Sequence, residues 1–231
     1  MKINVMKPVL VVLLLAAVAS LQAKTVVREF NVALFSELEI TGVGNVYLSQ
    51  GIKESVKVEA DDQRISDVIV ERTGNKLTIT TQGKKKWNSR VDVYVTVASF
   101  TSLNAKGVGN VSSKGQLLSP NLKLTVTAAG NVDLDLGCRS LTANFNATGH
   151  VKLTGKSVSA MLSFSGTGHI DTASLAVDTL GINAKGTGNI SVYAGKDLTL
   201  DAGGTGSINY KGHPVVHQLS THGTGPVHAE D

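Results

Sequence analysis

The chain has 231 residues, 22 Lys and Arg against 18 Asp and Glu, and a formal charge of +4. It is 42% hydrophobic but only 4% aromatic, and its length suits one domain with its own core. One cysteine, Cys138, excludes an internal disulfide.

The N-terminus reads as a secretory signal occupying residues 1–23. Lys2 and Lys7 give a positive start, Val9 to Ala19 form an apolar run, and Ser20, Gln22 and Ala23 follow. Cleavage after Ala23 is expected, with Ala17-Val18-Ala19 as the alternative small-x-small site. The run is shorter than the roughly 20 residues of a membrane span, so no transmembrane segment is expected. Removal of Lys2 and Lys7 leaves 20 Lys and Arg against 18 Asp and Glu in residues 24–231. The overall charge therefore implies no polyanion partner, and no nucleic-acid binding is expected.

Beyond residue 24 the glycines are periodic. The second glycine of a G-T-G-like motif falls at 44, 109, 130, 149, 168, 188, 206 and 225. Two residues after it stand Val46, Val111, Val132, Val151, Ile170, Ile190, Ile208 and Val227. Six residues before it stand Leu38, Leu103, Leu124, Ala143, Leu162, Ile182, Leu200 and Leu219. The column after those is polar throughout: Glu39, Asn104, Thr125, Asn144, Ser163, Asn183, Asp201 and Ser220. Such period-two alternation puts one face inward and one outward. Repeated every 19–20 residues in matching columns, it predicts an all-β solenoid, a right-handed β-helix of stacked coils. Two residues before the motif glycine only Gly or Ala occurs, which predicts a crowded inward corner. A nucleotide-binding glycine loop would occur once, between a strand and a helix, so no cofactor is expected.

The 65 residues between Gly44 and Gly109 leave room for about three coils, with no visible motif inside. Ser55–Ala60, Val68–Thr73, Lys76–Thr81 and Val91–Val97 read as strands, the middle two joined by a tight hairpin at Gly74-Asn75. Residues 50–100 are therefore expected as an irregular, hairpin-containing section. Within it, Lys84, Lys85, Lys86, Trp87 and Arg90 concentrate the only Trp and four cations. Such a loop could stack on a sugar and meet an anion, though a solvated charged loop has the same composition.

Further along, Asp133 and Asp171 share a column two coils apart, near the carboxylate separation of inverting glycosidases. Lys152 lies between them, so an ion ladder is the simpler reading. Cys138 reads as a small, partly buried side chain. His150 and His169 follow the motif glycine in adjacent coils and should stack within a polar ladder of Asn45, Asn110, Asn131 and Asn189. His213, His217, His222 and His228 crowd the C-terminus but are expected to stay independent, with no metal site. Pro226, Glu230 and Asp231 are expected to protect the terminal edge.

The recurring G-T-G-N/H-I/V motif, the Val26–Leu48 opening, the Val91–Val97 strand leading to Gly107-Val108-Gly109-Asn110-Val111, and the Tyr210–Pro214 ending resemble the head GIN domain family of autotransporter adhesins. The resemblance covers roughly residues 30–228. It implies a secreted or envelope-associated β-solenoid of Gram-negative bacteria that acts as an adhesin, with no catalytic residues to carry over. The chain shows no alternating ten-residue strands with aromatic girdles, so self-transport is not expected. The expected function is that of an exported, non-enzymatic surface or envelope binding module. Its expected partner is an anionic glycan bound at Lys84–Arg90, or an envelope protein in a structural role. A polysaccharide-active enzyme is the remote alternative.

Overall fold

A computed structural model describes residues 25–82, 91–127, 130–146 and 148–230. The expected signal, residues 1–23, lies outside them. The described residues form seventeen strands in one continuous, coiled sheet. The N-terminal section contributes β1 (Thr25–Phe30), β2 (Glu37–Thr41), β3 (Val46–Gln50), β4 (Ser55–Asp61), β5 (Val68–Thr73), β6 (Lys76–Thr81) and β7 (Val91–Val97). The coils follow with β8 (Ser102–Lys106), β9 (Val111–Thr127), β10 (Val132–Asn146), β11 (Thr148–Phe164) and β12 (Thr167–Ala184). Shorter strands complete them: β13 (Ile190–Tyr193), β14 (Asp197–Ala202), β15 (Ile208–Lys211), β16 (Val215–Thr221) and β17 (Val227–Glu230).

The columns stack as the alternation dictates. Val46, Val111, Val132, Val151, Ile170, Ile190, Ile208 and Val227 pair in parallel register, each over its predecessor. The Leu38 to Leu219 column does the same on the wall that precedes the glycine corner. Both columns are buried from the first motif coil onward, and exposure returns only in the last coil, where Leu219 is 53% exposed. Long strands β9 to β12 continue past the second wall, so Leu117, Leu136 and Leu175 add a third set of buried inward positions. β-branched and aliphatic residues suit this arrangement because each packs on a like neighbour about 4.8 Å away along the stack.

The glycine corner is crowded by stacked backbone. At Gly188, φ is +136°, and an added Cβ would overlap the carbonyl oxygen of Gly168 in the coil beneath. At Gly186, a Cβ would meet the carbonyl oxygen of Gly166 at 2.5 Å. Gly166, Gly186 and Gly204 stand between exposed neighbours and on the parity of the buried columns, and a Cβ at Gly186 would also meet the buried Phe164 ring, as the expected crowded inward corner requires. The neighbouring coil's main chain and that ring together leave no room there. Outside the corner, a polar ladder runs down the stack. Asn45 Nδ2 donates to Asp92 Oδ1 at 2.9 Å, Asn110 Nδ2 to Asn45 Oδ1 at 3.0 Å, and Asn131 N to Asn110 Oδ1 at 2.9 Å. His150 N continues it to Asn131 Oδ1 at 3.1 Å, and the His150 and His169 rings lie 5.0 Å apart.

The 65 residues between the first two motif copies, room for about three coils, do not stack between them. Val46 pairs directly with Val111, and Leu38 with Leu103. The intervening residues instead leave the stack and return beneath it. β6 pairs with β2 and β7 with β3, both parallel, adding one further coil below the first. β4 then turns antiparallel onto β7, β1 onto β4, and β5 onto β6. The physical reason is the exposed edge: a solenoid end presents unpaired backbone groups, and reversed strands close it. The β5–β6 hairpin forms where expected, with Thr73 opposite Lys76 and Gly74 at φ +60°.

Candidate functional site

The residues singled out from the sequence, Lys84, Lys85, Lys86, Trp87 and Arg90, lie outside the described residues. They connect β6 to β7, the strands of the added coil. The structure assembles a different site on the same N-terminal section, from residues that local sequence reading passed over.

Period-two alternation in β3 and β7 turns Val46, Leu48, Val93 and Val95 inward, all essentially buried. It therefore turns Tyr47 and Tyr94 outward. Because β7 lies beside β3 with Tyr47 opposite Tyr94, the two rings stack with centroids 4.7 Å apart and planes 16° from parallel. On the far side of Tyr94, β4 supplies Lys57 in register, its Nζ 4.4 Å from the ring centroid. Lys57 Nζ also meets Glu59 Oε1 at 2.8 Å, and the Tyr94 hydroxyl donates to Glu59 Oε2 at 3.1 Å. The hydrogen bond to Glu59 pushes the Lys57 ammonium above its ordinary pKa. Burial, and then the bond to Glu59, push the Tyr94 phenol up. Lysine is thus held charged and tyrosine neutral.

These side chains border a cleft of about 580 Å³ formed by β3, β4, β7, the end of β1 with Asn31, the turn before β4 and Lys114 of β9, within the range of small-ligand sites. Lys53 and Lys114 stand at its rim, both exposed, with Lys114 Nζ 5.7 Å from the Tyr94 centroid. Ser49, Ser55, Thr96 and Asn31 offer hydroxyl and amide groups. Glu54 also lines the cleft, only 7% exposed, and its Oε1 is sealed from solvent without a hydrogen-bond donor.

The coil surfaces are plainer. A groove of about 300 Å³ runs along the outward polar column, over Thr125, Asn144, Ser163 and Asn183, with Lys185 as its charged residue. Lys152 lies in register between Asp133 and Asp171, the ladder order expected. Of the C-terminal histidines, His217 Nε2 lies 2.6 Å from Asp197 Oδ1 and His222 Nδ1 3.7 Å from Asp201 Oδ1, each in its own pair. Among the described residues no group of three or more His, Cys, Asp or Glu is arranged to hold a metal, and no helix is long and apolar enough to cross a membrane. Cys138 is half-buried, and burial pushes its thiol up.

Comparison with known proteins places this architecture. No curated protein sequence matches the chain. A crystal structure of a putative adhesin from Bacteroides fragilis is similar, with TM-score 0.84 and 27% identity over 90% of this chain and 98% of that one. A putative adhesin from Parabacteroides distasonis shares the fold at TM-score 0.68 and 22% identity, over 90% of this chain and 98% of that one. A putative lipid binding protein from the same organism shares it at TM-score 0.69 and 20% identity, over 88% and 96% of the two chains. The model of the family described as "Putative auto-transporter adhesin, head GIN domain" matches residues 34–214, the glycine-cornered solenoid and its N-terminal section, and the chain belongs to that family.

Proposed function

We propose that this chain is an exported, non-catalytic binding module of a Gram-negative cell envelope, and that it engages its ligand through the N-terminal section. The observation that carries this reading is the contrast in surface chemistry. The coils present Asn, Thr, Ser and Lys in repeating columns, whereas the N-terminal cleft gathers two stacked tyrosines, three lysines and a buried carboxylate. Aromatic anchors in concave, partly desolvated sites dominate binding energy. The N-terminal signal features and the family support export and surface binding. Lys84, Lys85, Lys86, Trp87 and Arg90 belong to the same proposal as a second cationic element of the section, favouring an anionic partner.

The test is a glycan and matrix-protein screen with residues 24–231, together with fractionation and intact-mass measurement from the native host. Envelope or extracellular location with a start near Lys24 and a bound surface ligand is expected. A cytoplasmic protein retaining Met1 overturns the export reading. A second reading, a structural envelope protein with a protein partner, draws on the open C-terminal coil, where Val216 and Leu219 are 39% and 53% exposed. Co-purification of one fixed protein partner with no surface ligand would favour it.

A further inference from the structure

Resting on the binding-module reading, we propose that the free face of Tyr47, on the coil side of the tyrosine pair and outside the cleft, is a subsite for an uncharged sugar residue. Tyr47 provides the stacking platform, Ser112 the floor, and Asp133 the acceptor of two sugar hydroxyls.

The outward row that carries the two rings runs Lys57, Tyr94, Tyr47, Ser112, Asp133 and Lys152, one residue per strand. The Tyr94 and Tyr47 centroids lie 4.7 Å apart with planes 16° from parallel, close to the strand spacing of about 4.8 Å. Both ring planes therefore face along the row. Lys57 lies over the outer face of Tyr94, and the outer face of Tyr47 looks onto the place above Ser112. Three outward residues of β9 adjoin that face, and none covers it. Ser112 is too short. Asn110 is held in the amide ladder, its Nδ2 donating to Asn45 Oδ1 at 3.0 Å. Lys114 leans the other way, lining the cleft with its Nζ 5.7 Å from the Tyr94 centroid. A bulge releases it from the row: from the Ser112–Asp133 pair to the Gln116–Asp135 pair, β9 advances four residues against two in β10, with Gly115 at φ +78°.

Asp133 closes the far side of the gap. It stands two strand spacings from Tyr47, about 9.6 Å along the row. It is exposed, and among the described residues no hydrogen bond or ion pair engages its carboxylate. One ring stacked on Tyr47 sits halfway, over Ser112, with its rim against that carboxylate. Such a guest is apolar toward Tyr47 and donates hydrogen bonds toward Asp133. A pyranose does both, because its C–H face packs on an aromatic ring and two vicinal hydroxyls match two carboxylate oxygens. An acidic group gains little here, since Lys152 stands between Asp133 and Asp171 and is balanced by both. A cation is disfavoured by Lys114 and Lys152 on either side. The charged groups of a glycan are thus left to the lysines of the cleft, and the sugar at Tyr47 is uncharged.

The experiment titrates residues 24–231, by calorimetry, with neutral oligosaccharides, each beside its O-methylated form, and with acidic oligosaccharides and matrix proteins in parallel. At least one neutral oligosaccharide is expected to bind, at least about tenfold tighter than its methylated form. Asp133→Asn should weaken it about tenfold, and so should Ser112→Leu, which fills the place over Ser112 and leaves the tyrosine pair intact. Both residues face outward, so the melting temperature should hold. Tyr47→Phe should keep the affinity and Tyr47→Ala lose it. Neutral binding unchanged in Ser112→Leu and Asp133→Asn overturns the subsite and leaves the binding module standing. Equal binding of methylated forms overturns the hydroxyl-acceptor role of Asp133. Binding of acidic oligosaccharides or a matrix protein alone overturns the uncharged-sugar inference while sustaining the module, and no binding of any of them overturns both.

Discussion

Val151 illustrates how each inward residue is held. It is 1% exposed, with Val132 on one side and Ile170 on the other. Val151→Asp would bury a charge with no partner, and a loss of about 3 kcal/mol or more is expected in chemical denaturation. Asn144→Asp, on the outward column between Thr125 and Ser163, should change stability by less than about 0.5 kcal/mol. Equal losses would mean that inward and outward faces are misassigned. Cys138 offers a second residue-level test. Its thiol is raised by burial, with a weaker opposing hydrogen bond involving Ser157. Thiolate is the reactive form, so alkylation should be slower than that of a free cysteine at neutral pH, with a pH midpoint above the ordinary thiol value. Rapid alkylation at neutral pH would contradict the packing described for this side chain.

At the scale of elements, the two ends of the solenoid are built differently. The N-terminal end is closed by the reversed strands β1, β4 and β5, of which β1 and β4 also border the cleft. The C-terminal coils are joined by parallel pairing of β14 with β16 and of β15 with β17. Exposed charge pairs add to it: Asp197 with His217, and Lys211 with Glu230 at 3.7 Å. The His217 hydrogen bond is the chief reason that the Asp197 carboxyl sits below its ordinary range. A depressed carboxyl favours the folded state above the ordinary carboxylate range, and its contribution is lost as pH falls through the folded value. His217→Ala should therefore return the Asp197 titration, followed by NMR, toward the ordinary value. An unmoved Asp197 would show that the β14–β16 contact is not formed in solution. The motif glycines, the hairpin at Gly74 and the strands flanking it were legible as local patterns. The return of β6 and β7 beneath the first coil was not, because no motif marks residues 50–100 and the expected period suggested coils stacked in chain order.

For the molecule as a whole, the balance between stacking and edge protection governs behaviour in solution. Deleting residues 224–231 removes β17, which pairs with β15 and covers Ile208, now 4% exposed. The truncated protein should scatter more light as concentration rises, since it presents a fresh apolar edge. A monodisperse truncation would show that β17 has no protective part. What the amino-acid sequence determined alone is the coil: the 19–20-residue glycine spacing and the alternation of apolar and polar residues settle which side chains face inward. Both are local consequences of strand geometry and of backbone crowding at the corner. What only the tertiary structure decided is which coil lies on which. Pairing Val46 with Val111 across 65 residues, and Tyr47 with Tyr94 across 47, depends on register between distant strands, and no local pattern encodes such register. The cleft follows from that choice. Tyr47, Glu54, Lys57, Tyr94 and Lys114 are scattered in the chain and become one site because reversed strands close the N-terminal edge of the stack.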